Sequence, residues 1–328
     1  MKAYVIEQAG GPEALQLRDI PAPQAGPDEV QIRVRAFGLN RAEAYLRAGK
    51  TGAIDGPRVP GIEAVGEVVA DASGTFRVGQ RVATAMGGLQ FGRTGSYAEE
   101  IAVLRSNVIA LDGTALSWEE LAALPQAYLT VWGALVRTLA VQAGQTLLVR
   151  GATSSVGLAA VTYAKVLGLR VIGTTRSPAH AERLVRLGAD EVVVDNGDIA
   201  PAVRAIAPAG VDAALEVVGA ATLRDTIRTL RPFGAVTVIG LLGGPPVLEQ
   251  FHLMQDLPGA TQLSFFGSGL LGTPALPLSS APLRTIAKGI AAGRIPSLRV
   301  ETFNFDDVRR AHSLMESNQA QGKLVVVV

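Results

Sequence analysis

The chain of 328 residues contains no cysteine. That excludes disulfides, thiolate-ligated zinc, iron–sulfur clusters and a cysteine nucleophile, and it is compatible with a reducing, cytoplasmic setting. Histidine is nearly absent too. His180, His252 and His312 are far apart and form neither a helical i,i+4 pair nor a cluster, so each reads as a surface or satisfied structural histidine. Neither sign of charge is in excess: 30 Lys and Arg against 29 Asp and Glu give +1, with no sequence-wide pull toward nucleic acid or an anionic membrane. A long apolar run is missing as well. The longest uncharged stretch, Leu257 to Leu283, is broken by Pro258, Pro274, Pro277 and Pro282 and would leave backbone groups unpaired in lipid. It reads as loops and short strands, and the expectation is no membrane association. Met1-Lys2-Ala3-Tyr4-Val5-Ile6-Glu7 has no apolar h-region, which argues against a signal peptide. No serine is flanked as G-x-S-x-G, so the nucleophile elbow of a hydrolase is excluded.

What is present suits a globular chain of two domains: 48% hydrophobic and 18% charged residues over a length that allows a large core. The first ~115 residues are short β-like runs (Lys2–Ile6, Val30–Ala36, Ala64–Ala70, Arg81–Ala85) broken by turn signals, and predict a compact antiparallel β domain. The pattern changes at Ser117-Trp118-Glu119-Glu120, a capping box, followed by an apolar helix interrupted at Pro125. Strands and helices then alternate through five strands, Thr146–Val149, Arg170–Thr174, Glu191–Val194, Val211–Val217 and Ala235–Ile239. Such a series predicts an α/β fold with a doubly wound parallel sheet. The helices Leu283–Ala292 and Asp307–Ser317 and a last strand from Lys323 suggest that the chain's end returns to the first domain. The expected division is 1–118 with 263–328, and 119–262.

The first strand of the alternating series runs into Gly151-Ala152-Thr153-Ser154-Ser155-Val156-Gly157 and then a helix. A dinucleotide pyrophosphate binds at such a turn, where small residues admit the phosphates and the helix N-terminus offers N–H groups and partial positive charge. Against G-x-G-x-x-G, Ala152 and Ser154 fill the first two positions and only Gly157 matches; the rival reading is an ordinary tight turn. Ser154 and Ser155 are candidates to add hydroxyl donors. The second strand ends Gly173-Thr174-Thr175-Arg176-Ser177 with no acid to read the ribose of NAD. Arg176 suits a 2′-phosphate instead, so the expected cofactor is NADPH, with Thr175 beside it. Val217, Val218 and Leu241 lie at the carboxyl ends of later strands, where ligands bind.

With these residues in place, the chain resembles the medium-chain dehydrogenase/reductase superfamily, and most of all its zinc-independent quinone oxidoreductase (zeta-crystallin-like) branch. The matching pieces run in order along essentially the whole length: Gly38 to Gly49, Pro60-Gly61-Ile62-Glu63-Ala64-Val65-Gly66, Phe76 to Val82, Gly95-Ser96-Tyr97-Ala98-Glu99, Leu124-Pro125 with Leu129-Thr130, the turn above, and Gly322-Lys323-Leu324-Val325. The resemblance implies a GroES-like β domain and a Rossmann domain, NADPH in the cleft between domains, hydride transfer to a quinone or α,β-unsaturated carbonyl, and a homodimer. Zinc-dependent relatives place Cys where Asn40 stands and Gly-His-Glu where Gly61-Ile62-Glu63 stands, so no metal is expected. It also implies cofactor contacts from Asn40, Thr130, Phe266 and Lys323. His180 where a lysine is usual, Asp195-Asn196 where an aromatic is usual, Glu43 for Asp, and Thr51 near a missing second tyrosine are departures. They leave the NADPH preference resting mainly on Arg176.

Hydride addition to an enone or quinone needs the acceptor oxygen polarised and then protonated. The candidates are Asn40, to orient the nicotinamide ribose or an acceptor oxygen, and Tyr45, as proton donor or as pocket wall. Two rivals stand beside this reading: an enoyl-thioester reductase using the same chemistry, and a catalytically silent NADPH-binding protein.

Overall fold

The computed structural model describes residues 1–298, 300–320 and 322–328. These divide into two compact units, Met1–Leu129 with Gly269–Val328, and Thr130–Ser268. In chain order the first unit begins with β1 (Lys2–Val5), β2 (Gln16–Asp19), β3 (Glu29–Gly38), α1 (Arg41–Arg47), β4 (Glu63–Asp71), β5 (Arg81–Ala85), β6 (Glu100–Leu104), β7 (Ile109–Ala110), α2 (Trp118–Ala122) and the start of α3 (Pro125–Trp132). The second holds β8 (Thr146–Arg150), α4 (Ser155–Val166), β9 (Arg170–Thr175), α5 (Ala181–Arg186), β10 (Glu191–Val194), α6 (Ala200–Ile206), β11 (Val211–Glu216), α7 (Ala220–Arg228), β12 (Leu230–Val238), α8 (Leu253–Asp256) and β13 (Gln262–Phe265). The chain re-enters the first unit with α9 (Leu283–Ala291), β14 (Val300–Asn304), α10 (Val308–Glu316) and β15 (Lys323–Val327).

In the first unit β3 is the spine. Its alternating apolar residues Val30, Ile32 and Val34 are buried and join a core with Phe37, Leu39, Val68, Tyr97, Leu324 and Val326. The main sheet runs β14-β15-β3-β4-β5-β7, with β6 also on β3. The pairings are antiparallel as expected, save one: β14 and β15 are parallel. Parallel neighbours need a long crossover, and α10 supplies it. The chain's end is thus built into the sheet, with Val325 opposite Gly38 and Val327 opposite Ala36.

The second unit's sheet is parallel throughout, ordered β10-β9-β8-β11-β12-β13. The order reverses between β8 and β11, the switch point at which doubly wound sheets bind ligands. Near-continuous apolar strands bury Leu148, Ile172, Ala214 and Val236 between helices on both faces. The sixth strand, β13, lies inside the uncharged stretch that reads as loops and short strands; Gln262 and Ser264 dilute its apolar pattern. Because β13 pairs with β12, residues up to Ser268 fall with this unit. Because α2 packs on β3, β4 and β15, residues up to Leu129 fall with the first. No helix among the described residues is long and apolar enough to cross a membrane.

Candidate active site

The turn after β8 has the geometry expected of a phosphate cradle. Gly151 takes φ +84°, which an L side chain rarely adopts. A Cβ on Gly157 would run into the Gly151 carbonyl oxygen and Ala152, so only glycine lets α4 close onto the turn. Ser154 is the helix cap: its Oγ accepts from Gly157 N at 3.1 Å and donates to the Gly151 carbonyl at 2.8 Å. Its hydroxyl is therefore spent on the fold, contrary to the expectation of a free donor. The N–H groups of Ser155 and Val156 have no intrahelical acceptor and remain the natural anion donors of this 12-residue helix. The turn is tied to the next strand, since Gly151 N donates to Thr174 Oγ1 at 3.1 Å and Ala152 N to the Thr174 carbonyl at 3.2 Å.

Those bonds set the end of β9 beside the cradle. Thr175 is buried, with Oγ1 donating to the Ser177 carbonyl at 3.0 Å. Arg176 is exposed and makes no ion pair among the described residues. Thr153 is half-buried, and Val217 and Val218 flank Gly151 from the end of β11. Leu241 approaches Gly219 after β12.

Behind the cradle lies a buried charge cluster with no local signal in the sequence. Arg150, the last residue of β8, is 0% exposed. Its Nε and Nη2 donate to Asp195 at 2.8 and 2.9 Å, and its Nη1 to Asp225 at 2.7 Å and Thr226 Oγ1 at 3.1 Å. Glu216 at the end of β11 accepts from Val218 N, Gly219 N and Thr226 Oγ1. Its carboxyl is nonetheless pushed above the usual range by burial.

In the first unit the candidates converge differently. Lys323 Nζ donates to Asn40 Oδ1 at 2.7 Å and Glu63 Oε1 at 2.6 Å, while Asn40 Nδ2 donates to Glu63 Oε1 at 2.8 Å and Glu43 Oε1 at 3.3 Å. Glu43, at the third position of α1, reaches back to accept from Asn40 N at 2.7 Å. Gln126 N donates to Glu63 Oε2 at 2.8 Å. Glu43 and Glu63 are fully buried and Lys323 is 1% exposed. Burial raises Glu43 to about 7, with the nearby Lys323 ammonium working against the rise. Two expectations change here. Lys323, expected at the cofactor, is an internal cation. Asn40, expected to orient a ligand, has both ends of its carboxamide held by intrachain partners. Three loop-and-strand ends meet because β15 and β4 flank β3 on opposite sides, at the end where Asn40 follows β3.

Tyr45 is half-buried on α1, with the Lys50 ammonium 5.7 Å from its ring centroid. Thr130 is 7% exposed. Phe266, expected to close over the nicotinamide, is 3% exposed and lies over Gly133; it is Phe265 that is 63% exposed. His312 is fully buried with Nε2 3.0 Å from Tyr97 Oη, the satisfied structural histidine of the expectation on that nitrogen. Burial and then Arg47 push His312 down to about 3.

The alcohol dehydrogenase GroES-like domain family matches residues 26–128, and the zinc-binding dehydrogenase family matches residues 155–277. A quinone oxidoreductase from Homo sapiens is 32% identical over 339 residues, spanning 100% of this chain and 98% of that protein. The chain belongs to the medium-chain dehydrogenase/reductase superfamily. A 2-haloacrylate reductase from a Burkholderia species is 28% identical over 99% of this chain and 98% of its own length. A mycobacterial protein solved in complex with NADPH superposes with a TM-score of 0.86 at 27% identity, covering both chains fully. The quinone oxidoreductase-like branch of the superfamily is consistent with these relatives, and the activity class they support is that of an oxidoreductase.

The zinc-binding title of the second matched family does not carry over to the residues present. In this medium-chain dehydrogenase/reductase the position between Asn40 Oδ1 and Glu63 Oε1 is taken by the Lys323 ammonium. Ile62, 2% exposed, offers only hydrocarbon. Among the described residues no three His, Asp or Glu side chains are grouped to hold an ion. This donor set does not fit a catalytic zinc.

Proposed function

We propose that the chain is an NADPH-dependent, metal-independent reductase of quinones or α,β-unsaturated carbonyl compounds. The observation that carries the reading is the exposed Arg176, which has no ion pair among the described residues and lies two positions after Thr174, the residue hydrogen-bonded to the turn that opens α4. The cradle supplies N–H donors for a pyrophosphate, and Arg176 supplies the fork for a 2′-phosphate. The NADPH complex of a fold neighbour supports the cofactor, and the 2-haloacrylate reductase supports an activated alkene as acceptor.

When bound, NADPH supplies the hydride, delivered to the β-carbon of an enone or to a quinone ring. Ser155 and Val156 would hold the pyrophosphate, and Arg176 the 2′-phosphate. Tyr45, the phenol on α1, would donate a proton to the acceptor's developing anion. We further propose a homodimer through β13, the outermost strand of its sheet among the described residues, where Phe265 is exposed; light scattering at the monomer mass would overturn it.

NADPH oxidation is followed with a panel of enones, quinones and enoyl thioesters. Turnover of the first two supports the reading, preferred turnover of thioesters points to an enoyl-thioester reductase, and binding without turnover to a silent binder. Arg176→Ala should leave stability unchanged and weaken NADPH roughly ten- to hundredfold while sparing NADH. Tyr45→Phe should lower turnover without weakening NADPH, and an unaltered rate would remove the proton-donor role.

A further inference from the structure

Asp195 poses a problem for an NADPH site. Its N–H donates to the Thr175 carbonyl at 2.7 Å, and Val194 is in register with Thr175, so Asp195 follows the end of β10 as Arg176 follows the end of β9. An acid at such a rim favours a ribose hydroxyl and repels a phosphate. Here, however, the carboxylate is turned inward. Both oxygens are bound by the Arg150 fork at 2.8 and 2.9 Å, and Oδ1 also accepts from Gly197 N at 2.9 Å. Its side chain is only 10% exposed.

Arg150 cannot itself be a phosphate ligand. It is 0% exposed, and its remaining donors are held by Asp225, Thr226, the Thr222 carbonyl at 3.0 Å and the Gly197 carbonyl at 3.2 Å. Anchored to α7 on one side and to the end of β10 on the other, it keeps one geometry. We propose that Arg150 is a specificity-determining residue: by binding and neutralising Asp195 it opens the rim beside Arg176 to a 2′-phosphate. The proposal rests on the NADPH reading above and names the device that lets an acid coexist with it. Asp195 accordingly stays below the usual carboxylate range: its burial opposes this, and the Arg150 bonds, with help from Gly197 and Thr174, outweigh it.

The test is calorimetric titration of the full chain with NADPH and NADH. Arg150→Met, which frees Asp195, should lower the ratio of NADH to NADPH dissociation constants roughly tenfold, and Arg150→Met/Asp195→Asn should restore it. Equal loss of both cofactors, with no restoration in the double variant, would mean Arg150 is only structural. Should Arg150→Met fail to fold, Asp195→Asn decides alone. Leaving the guanidinium less compensated, it should raise the ratio several-fold, and an unmoved ratio sinks the inference whatever the wild-type value. A wild-type ratio near one, unaffected by Arg176→Ala, sinks the NADPH reading instead.

Discussion

The two units each bury a cation among carboxylates, and they do so with different cations. In the first, Lys323 brings a point charge to Asn40 and Glu63, joining the start of β15 to residues 260 or more positions earlier in the chain. In the second, Arg150 spreads a planar fork over Asp195 and Asp225 and so fixes the ends of β8 and β10 and the middle of α7. Both obey the rule that a buried charge survives only when paired and hydrogen-bonded. The ammonium closes the fold at one point. The fork aligns two strand ends and a helix, because its five donors have fixed directions.

The comparison breaks first at Lys323. Lys323→Met leaves the fully buried Glu63 without its cation, and should cost about 3–5 kcal/mol in urea unfolding, with Lys323→Met/Glu63→Gln recovering part of it. An unchanged midpoint would show that the first cluster is not held by its cation. Gly157→Ala should follow, at about 1–3 kcal/mol from overpacking the turn, with NADPH affinity falling in the same variant. Ser154→Ala should cost about 1 kcal/mol, the value of a helix cap, and leave NADPH affinity nearly unchanged. A large loss of affinity would return its hydroxyl to the phosphate site.

The first unit's stability should also have two pH limbs. His312 titrates at about 3 when folded and about 6.5 when unfolded. The unfolded chain therefore takes up the proton first, and stability falls as pH drops through that window. Glu43 shows the opposite sign. At about 7 folded and about 4.3 unfolded, it holds a proton that the unfolded chain releases, so stability falls as pH rises through that window. His312→Gln should flatten the acid limb and Glu43→Gln the other, read as urea midpoints against pH.

The strands β8 to β12, the turn at Gly151 to Gly157 and the exposed Arg176 were legible because each is a local pattern: apolar runs, helix stops at Gly168 and Gly188, small residues at a helix start. β13 was not legible as a bounded element, only as a short strand somewhere in the uncharged stretch, since four residues of mixed polarity carry no period. Nor were the parallel β14–β15 pair and the roles of Lys323 and Asn40. Nothing local marks Arg150, at the end of β8, as an internal cation; only the positions of Asp195 and Asp225, 45 and 75 residues away, show that its donors are spent.

By itself the sequence determined the two-part α/β plan, the cysteine-free chemistry and the tight small-residue turn between β8 and α4, because hydrophobic periodicity and turn geometry act over a few residues. The tertiary structure alone decided which polar side chains are available. A buried group must find its partner wherever the fold brings one, and that pairing leaves no trace in the spacing along the chain.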